Sequence, residues 1–383
     1  MSLADFNHLT PAQQEALLDS PALKAPEGIM PNLTNPPNYN TLSYAVTIVA
    51  FTIATVFFLI RAYSRLIMSK IVHIEDALAL LAFGSYIGMV WCTLRTIIVG
   101  GLLVHQWDIT VRTLLDTLYP FYLFPLLYAF TLLLIKIAII REWIRVFGSV
   151  GVRGTFFWVS WVVLILNVLF YTGSILALGM SCLPAAKFWN PWVDGRCYSP
   201  RSFEYASSII NLILDLTILS LPQRIIWNLN MSPKTKAGVS FVFGIGLLAC
   251  AAALGRIILG VRLLNSNDRT FESGAPVLLA LAEATGALLV FFIPAASKVF
   301  VHSIPFTALF HSLRSWTRIP IRNRSSESGG IAWGGVKHSN SCDNVGKQPD
   351  AQVHEMNANL VLASIPVAVY QKDSNQSTRS MLN

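Results

Sequence analysis

The sequence predicts an all-α fold: a seven-transmembrane helix bundle with the N-terminus outside, the C-terminus cytoplasmic, and a short interfacial helix and disordered tail after the last span. Three observations predict it. Of the 383 residues, 54% are hydrophobic and only 13% charged, against about 25% charged in a soluble domain. Seven apolar windows recur along the chain, each near the roughly 20 residues that cross a bilayer. Lysine and arginine also crowd alternate loops, as cytoplasmic loops do.

Residues 1–41 read as an extracellular or lumenal tail. Its opening, MSLADFNHLTPAQQEALLDS, lacks a basic start followed by an apolar core. No cleavable signal is therefore expected, and the first span is the targeting element. The tail carries Asn32 in the sequon Asn32-Leu33-Thr34, a candidate glycosylation acceptor. Asn230, Asn323 and Asn375 also begin sequons, but on the inner side, where they are expected to stay bare.

The membrane domain, residues 42–302, holds the windows 42–64, 75–98, 117–141, 155–180, 205–225, 237–262 and 275–301. The second is the least clean, with Arg95 at its far end. Arg61, Arg65, Lys70, Arg141, Arg145, Lys234 and Lys236 fall on the side that receives the C-terminus, and fewer basic residues fall on the other. The net charge of +8 thus reflects loop topology rather than a nucleic-acid stripe. Among five cysteines, Cys182 and Cys197 bracket one outer loop. An oxidising lumen permits a disulfide there, with two free thiols as the alternative.

Residues 303–324 form a basic amphipathic segment, with Phe306, Leu309, Phe310, Leu313 and Trp316 at helical spacing and Arg314 and Arg318 between them. Such a helix lies in the inner interface, its arginines near anionic lipid. Residues 325–383 lack periodicity and read as a disordered cytoplasmic tail.

Ionisable residues inside spans are functional candidates, because their burial must be compensated. Four stand out: Lys136, Asp215, Arg256 and Glu283. At 1.5 Å per residue, Arg256, Glu283 and Asp215 lie roughly 10, 12 and 15 Å below the outer surface. Asn211 lies one helical turn before Asp215 and shares its face. One reading is an Arg256–Glu283 or Arg256–Asp215 ion pair that holds helix register. The other is a polar pocket floor, where a spare carboxylate binds a ligand or moves a proton. Asn167 and Tyr171 add polar groups in span four. Lys136 is about five residues from the inner end of its window and is expected to snorkel to the interface. Gly244, Gly246, Ala251 and Gly255 are expected to let helices approach closely. Glu75 and Asp76 suit the helix dipole at the start of span two; with only His73 nearby they make a poor metal site. The sequence has no phosphate loop, nucleophile elbow or zinc-protease motif, and no cofactor or metal is expected.

Taken in order, these motifs resemble the fungal rhodopsin-domain family of seven-span membrane proteins, which includes appressorium-type receptor-like and satratoxin-cluster members. The resemblance runs from about Ala25 to Arg318 and rests on several stretches. APEGIMPNLTNPPN leads to Arg61 and Arg65. KIAIIREWIRVF keeps Lys136 and Arg145. Cys182, Pro184, Trp189, Gly195 and Cys197 mark the outer loop. Asn211, Asp215 and Pro222 follow, then Lys236, Arg256, Glu283 and Pro294. Glu75-Asp76 stands where the family usually has Asp-Asp. The loop with Gly101 and His105 has Leu103 where a second glycine is common. No cysteine-rich domain is expected before span one. The resemblance implies the seven-helix fold and a membrane location, but hardly a mechanism.

Two functional readings follow. The first is an orphan receptor-like protein whose outer-half pocket, around Asn211, Asp215, Arg256 and Glu283, takes a small lipophilic ligand. Membrane lipid and a cytoplasmic signalling partner would be its other partners, and nucleic acid would not. The second is a membrane-embedded enzyme or accessory protein of secondary metabolism, with Asp215 or Glu283 as a general acid. A retinal protein is disfavoured because Lys298 lies near the inner end of span seven and span three offers no acid as counter-ion. A transporter is disfavoured because the halves show no repeat.

Overall fold

The computed structural model describes residues 10–148, 154–198, 201–223 and 233–303. Among these run eight α-helices: α1 (Pro11–Leu18), α2 (Asn40–Tyr63), α3 (Ile74–Val99), α4 (Val111–Gly148), α5 (Thr155–Gly179), α6 (Arg201–Ser220), α7 (Pro233–Asn265) and α8 (Arg269–Ser303). A π-helical turn, Ser64–Ser69, extends α2. The seven helices α2 to α8 are each long and apolar enough to cross a membrane, one for every window read from the sequence. The chain from Ile304 onward, which holds the expected interfacial helix and tail, lies outside the described residues, as do Asn230, Asn323, Asn375 and Cys342.

Helices α4, α7 and α8 overrun their apolar windows at both ends. Helix α4 has 38 residues, roughly 57 Å at 1.5 Å per residue, well past a hydrocarbon layer of about 30 Å. Apolar composition therefore marks where a helix meets lipid, not where it ends.

Burial separates central from peripheral helices. The most apolar windows of α4 and α8 are 56% and 61% buried, whereas those of α2 and α7 are 17% buried. Helix α3 packs on α4, α8 packs on α7 and α2, and α4 also meets α5 and α8. The core between them holds Tyr86, Met89, Leu132, Ile135, Leu281, Leu288, Phe291 and Phe292. Phe58 stacks on Phe83 with centroids 4.2 Å apart, and Phe292 meets Phe58 edge-on at 5.7 Å. On α2, Ser43, Thr47, Ala54 and Arg61 are buried at helical spacing, while Ile48, Val49, Ile53, Val56 and Leu59 are exposed. On α5, Trp158, Val162, Leu166, Leu169 and Leu176 are likewise exposed. A soluble protein does not present apolar belts of this kind, and here lipid is the solvent that covers them.

Small residues set two close approaches. A Cβ on Gly286 of α8 would stand 2.7 Å from the Cβ of Ala249 on α7, so only glycine permits this crossing. Gly255 of α7 faces Leu279 at 3.1 Å and Gly246 faces Leu219, but Gly244, expected to serve the same purpose, has open space around it. The glycines of α7 thus divide, because only those facing α6 and α8 meet a neighbour.

One end of the bundle is closed by short polar structure. The strands β1 (Cys182–Leu183) and β2 (Arg196–Cys197) pair antiparallel, and a disulfide joins Cys182 to Cys197. Trp189 packs on Tyr119 and Tyr122 of α4, at 5.4 and 5.3 Å. The tail bonds to the loop before α4, with Ala22 N–H donating to Ile109 O at 2.9 Å and Val111 N–H to Ser20 O at 3.0 Å. Gly101 takes φ +77°, where a Cβ would run into Val104. Leu103 also has a positive φ, +60°. A left-handed backbone is where glycine is least costly.

Candidate functional site

The four intramembrane charges come together as two ion pairs in one hydrogen-bonded network. Lys136 Nζ on α4 lies 2.7 Å from Asp215 Oδ1 on α6. Arg256 Nη2 on α7 lies 3.1 Å from Glu283 Oε2 on α8. Of the two alternatives for Arg256, the Glu283 partnership is the one formed. Lys136 and Glu283 are each only 2% exposed. An unpaired charge in such a place is very costly, and pairing is the condition for burying it.

Asn211 joins the two pairs. Its side-chain oxygen accepts from Lys136 Nζ at 2.9 Å and from the Tyr171 hydroxyl. Its side-chain N–H donates to Glu283 Oε1 and, at 3.4 Å, to Tyr128 Oη. A primary amide has an acceptor at one end and donors at the other, so it suits a position between an ammonium and a carboxylate. Asn211 and Asp215 share a face because they are one turn apart. Tyr128 and Lys136 share a face of α4, two turns apart.

Tyr128 donates to Glu283 Oε1 at 2.8 Å and accepts from Arg256 Nη2 at 2.7 Å. Arg256 Nη1 donates to Ser208 Oγ at 2.9 Å, and its guanidinium lies 4.9 Å from the Tyr128 ring centroid. Lys136 Nζ donates to Tyr171 Oη at 2.6 Å. Five helices, α4 to α8, thus contribute to the network. One atom stands apart: Asp215 Oδ2 is buried and has no hydrogen-bond partner among the described residues.

Two expectations change here. Lys136 does not snorkel: α4 continues to Gly148, so the lysine is well inside the helix and its ammonium turns into the bundle. No whole carboxylate is left spare, because two cations meet two anions. Tyr128 and Ser208 escaped the sequence reading, although Tyr128 lies two turns from Lys136 on one face. Tyr171 belongs to the network. Asn167 does not, since its amide donates to Val163 O of its own helix at 2.9 Å.

A second ionic cluster lies at the end opposite the disulfide. Arg61 Nη2 is 2.9 Å from Asp76 Oδ1 and 3.2 Å from Glu142 Oε2. Its Nη1 donates to Phe291 O at 2.6 Å, three residues before Pro294. Arg65 meets Glu142 at 3.0 Å, and Arg145 meets Glu75 at 3.0 Å. Asp76 also accepts from His73 N–H at 3.2 Å, the dipole-side position expected of it. Among the described residues no group of His, Cys, Asp and Glu has the makings of a metal site. At the disulfide end, His105 Nδ1 lies 2.6 Å from Asp268 Oδ2, its ring stacked between Trp107 and Phe271 at 4.3 and 4.2 Å. Asn32, the sequon residue, is exposed; its side-chain Oδ1 accepts from Thr34 Oγ1 at 3.1 Å.

Fold and network together define a class, the multi-pass integral membrane proteins built on seven helices. The chain matches the fungal rhodopsin domain over residues 60–302, and it belongs to that family. Fugralins biosynthesis cluster protein 2 of Gibberella zeae is 36% identical over 285 residues, covering 74% of this chain and 71% of that one. A SAT4 family membrane protein of Emericella nidulans is 30% identical over 168 residues, 44% of each chain. Receptor GIN3 of Arthrobotrys oligospora is 25% identical over 249 residues, 61% of this chain and 56% of the receptor. No solved structure matches the chain.

Proposed function

We propose that the protein is a receptor-like membrane protein in which a small lipophilic ligand engages the network of Asn211, Asp215, Arg256 and Glu283. The single observation that carries the reading is Asp215 Oδ2, a buried carboxylate oxygen left without a donor in an otherwise paired network. Buried acceptors of this kind are unfavourable until a donor reaches them. A hydroxyl or amine on a ligand is such a donor, and its arrival would pull on helices α4 to α8 at once. The relative named a receptor lends support. In this reading the disulfide end lies outside, Asn32 is glycosylated, and the basic opposite end meets a cytoplasmic partner.

The test uses the full chain in lipid nanodiscs, exposed to fractionated culture extract and washed, with retained small molecules read by mass spectrometry. Saturable retention that is lost in Asp215→Asn is the expected result. Equal retention by wild type and Asp215→Asn, or none by either, overturns it.

A second reading, an enzyme or accessory protein of a biosynthetic pathway, is favoured by the relative named for a biosynthesis cluster. It requires altered metabolites, not only altered sensing, in an Asp215→Asn, Glu283→Gln double variant. An unchanged metabolite profile removes it.

A further inference from the structure

At the end opposite the disulfide, a cleft of about 440 Å³ opens between the turn before α3, the end of α4 and the start of α5. Its polar lining is His73, Glu75, Arg141, Arg145 and Trp161; none of the four network residues borders it. In the ionic cluster around it, Arg61, Arg65, Arg141 and Arg145 face three carboxylates among the described residues, Glu75, Asp76 and Glu142. Asp76 and Glu142 are taken by Arg61 and Arg65, and Glu75 by Arg145 at 3.0 Å. Arg141 is the least tightly held cation: it shares Glu75 with Arg145, at 3.5 Å, and its Nε is buried with no hydrogen bond.

Two further nitrogens that line the cleft share that condition. Trp161 Nε1 and His73 Nδ1 are buried without hydrogen-bond partners among the described residues. An indole nitrogen can only donate, and a guanidinium only donates. The cleft therefore has one positive charge too many and too few acceptors. Ile71, Val72, Ile74 and Trp158 beside it are all exposed, an apolar surface suited to acyl chains with an aromatic at headgroup level.

We propose that this cleft binds a phosphate group, with Arg141 and Trp161 donating to its oxygens, and that the phosphate is the headgroup of an anionic membrane lipid. Basic pockets between membrane helices bind such headgroups, and a guanidinium is well shaped for phosphate. Burial first, and then the guanidiniums of Arg145 and Arg65, lower the pKa of His73 beside the cleft. Free inorganic phosphate offers the same chemistry, but the exposed apolar neighbours favour a ligand with acyl chains. The proposal does not rest on the receptor reading.

The test uses the full chain in nanodiscs of phosphatidylcholine alone, with added phosphatidic acid, or with inorganic phosphate in solution. Thermal midpoint is one readout and native mass spectrometry of co-purifying lipid the other. Phosphatidic acid should raise the midpoint of wild type. Arg141→Gln should need roughly tenfold more lipid, as expected for one lost charge-assisted hydrogen bond. Trp161→Phe, which keeps the ring and removes the donor, should fall between. Arg112→Gln, at the other end, should match wild type. A shift with inorganic phosphate alone that equals the lipid shift would keep the phosphate site and overturn the lipid assignment. No shift from either source, or a lipid shift unchanged in both variants, overturns the proposal. Should Arg141→Gln fail to fold, Trp161→Phe and the lipid mass decide.

Discussion

Lys136 Nζ stands 2.7 Å from Asp215 Oδ1, and this contact between α4 and α6 makes the intramembrane network electrically neutral. With Arg256 paired to Glu283, each of the network's two cations has its own anion. Neutrality is what lets four ionisable groups occupy the interior of a membrane bundle.

Removing one partner should therefore cost far more than removing both. Lys136→Met should destabilise by about 3–5 kcal/mol, the cost of an uncompensated buried charge. Lys136→Met combined with Asp215→Leu should recover most of that loss, since apolar replacement of a whole buried pair is often neutral. Thermal melting in detergent, across the four members of the cycle, checks this.

Asn211 should behave as the coupler. Asn211→Ala leaves donors and acceptors of both pairs unmet and should cost about 1–3 kcal/mol. It should also erase the coupling between Lys136→Met and Glu283→Gln, which a double-mutant cycle measures in each background. Coupling that persists without Asn211 would show that the pairs communicate by another route.

Gly101 should tolerate no side chain. Its φ of +77° and the nearby Val104 predict that Gly101→Ala lowers stability by more than the roughly 1–2 kcal/mol of a left-handed non-glycine residue. Leu103→Val should also destabilise, because a branched Cβ suits φ +60° poorly. Both variants can be ranked by melting point.

His73 should make stability sensitive to mild acid. Burial, then the guanidiniums of Arg145 and Arg65, hold its pKa below the ordinary 6.5, with Glu75 and Asp76 pulling the other way. A lowered folded-state pKa means the unfolded chain binds the proton more readily, so stability rises with pH across this window. The contribution is present above 6.5 and is lost as pH falls toward the folded value. The melting point should drop on acidification from pH 6.5, and His73→Gln should flatten that part of the profile.

The disulfide should be a stabilising link for the loop between α5 and α6. The Cys182–Cys197 separation of 15 residues predicts a loss of about 3 kcal/mol in a Cys182→Ser, Cys197→Ser variant. Reductant should shift wild type toward the variant and leave the variant unmoved.

Much of this was legible in one dimension. Apolar windows located all seven spans, because a bilayer of fixed thickness demands a minimum apolar length. The loop that Cys182 and Cys197 bracket pointed to their bridge. The sequence also offered Glu283 as a partner for Arg256, since both lie at similar depth on consecutive helices. Lys136 was not legible in the same way. Its apolar window closes at Arg141, yet α4 runs on to Gly148, so distance from the end of the run was not distance from the end of the helix. Gly244 failed for a related reason: helical glycines look alike in sequence, and only the neighbour they face distinguishes them.

By itself, then, the sequence determined the number of membrane spans, the membrane as solvent and the residues whose charges needed partners, because composition and spacing are local properties. Only the tertiary structure decided the partners. Tyr128 and Glu283 bond across 155 residues of chain, and Tyr86 and Thr285 across 199. Such pairings depend on which faces of α3 to α8 turn inward, and packing sets those rotations. The same packing directs Lys136 to Asp215, which is why a lysine that composition assigned to the interface lies instead at the centre of the network.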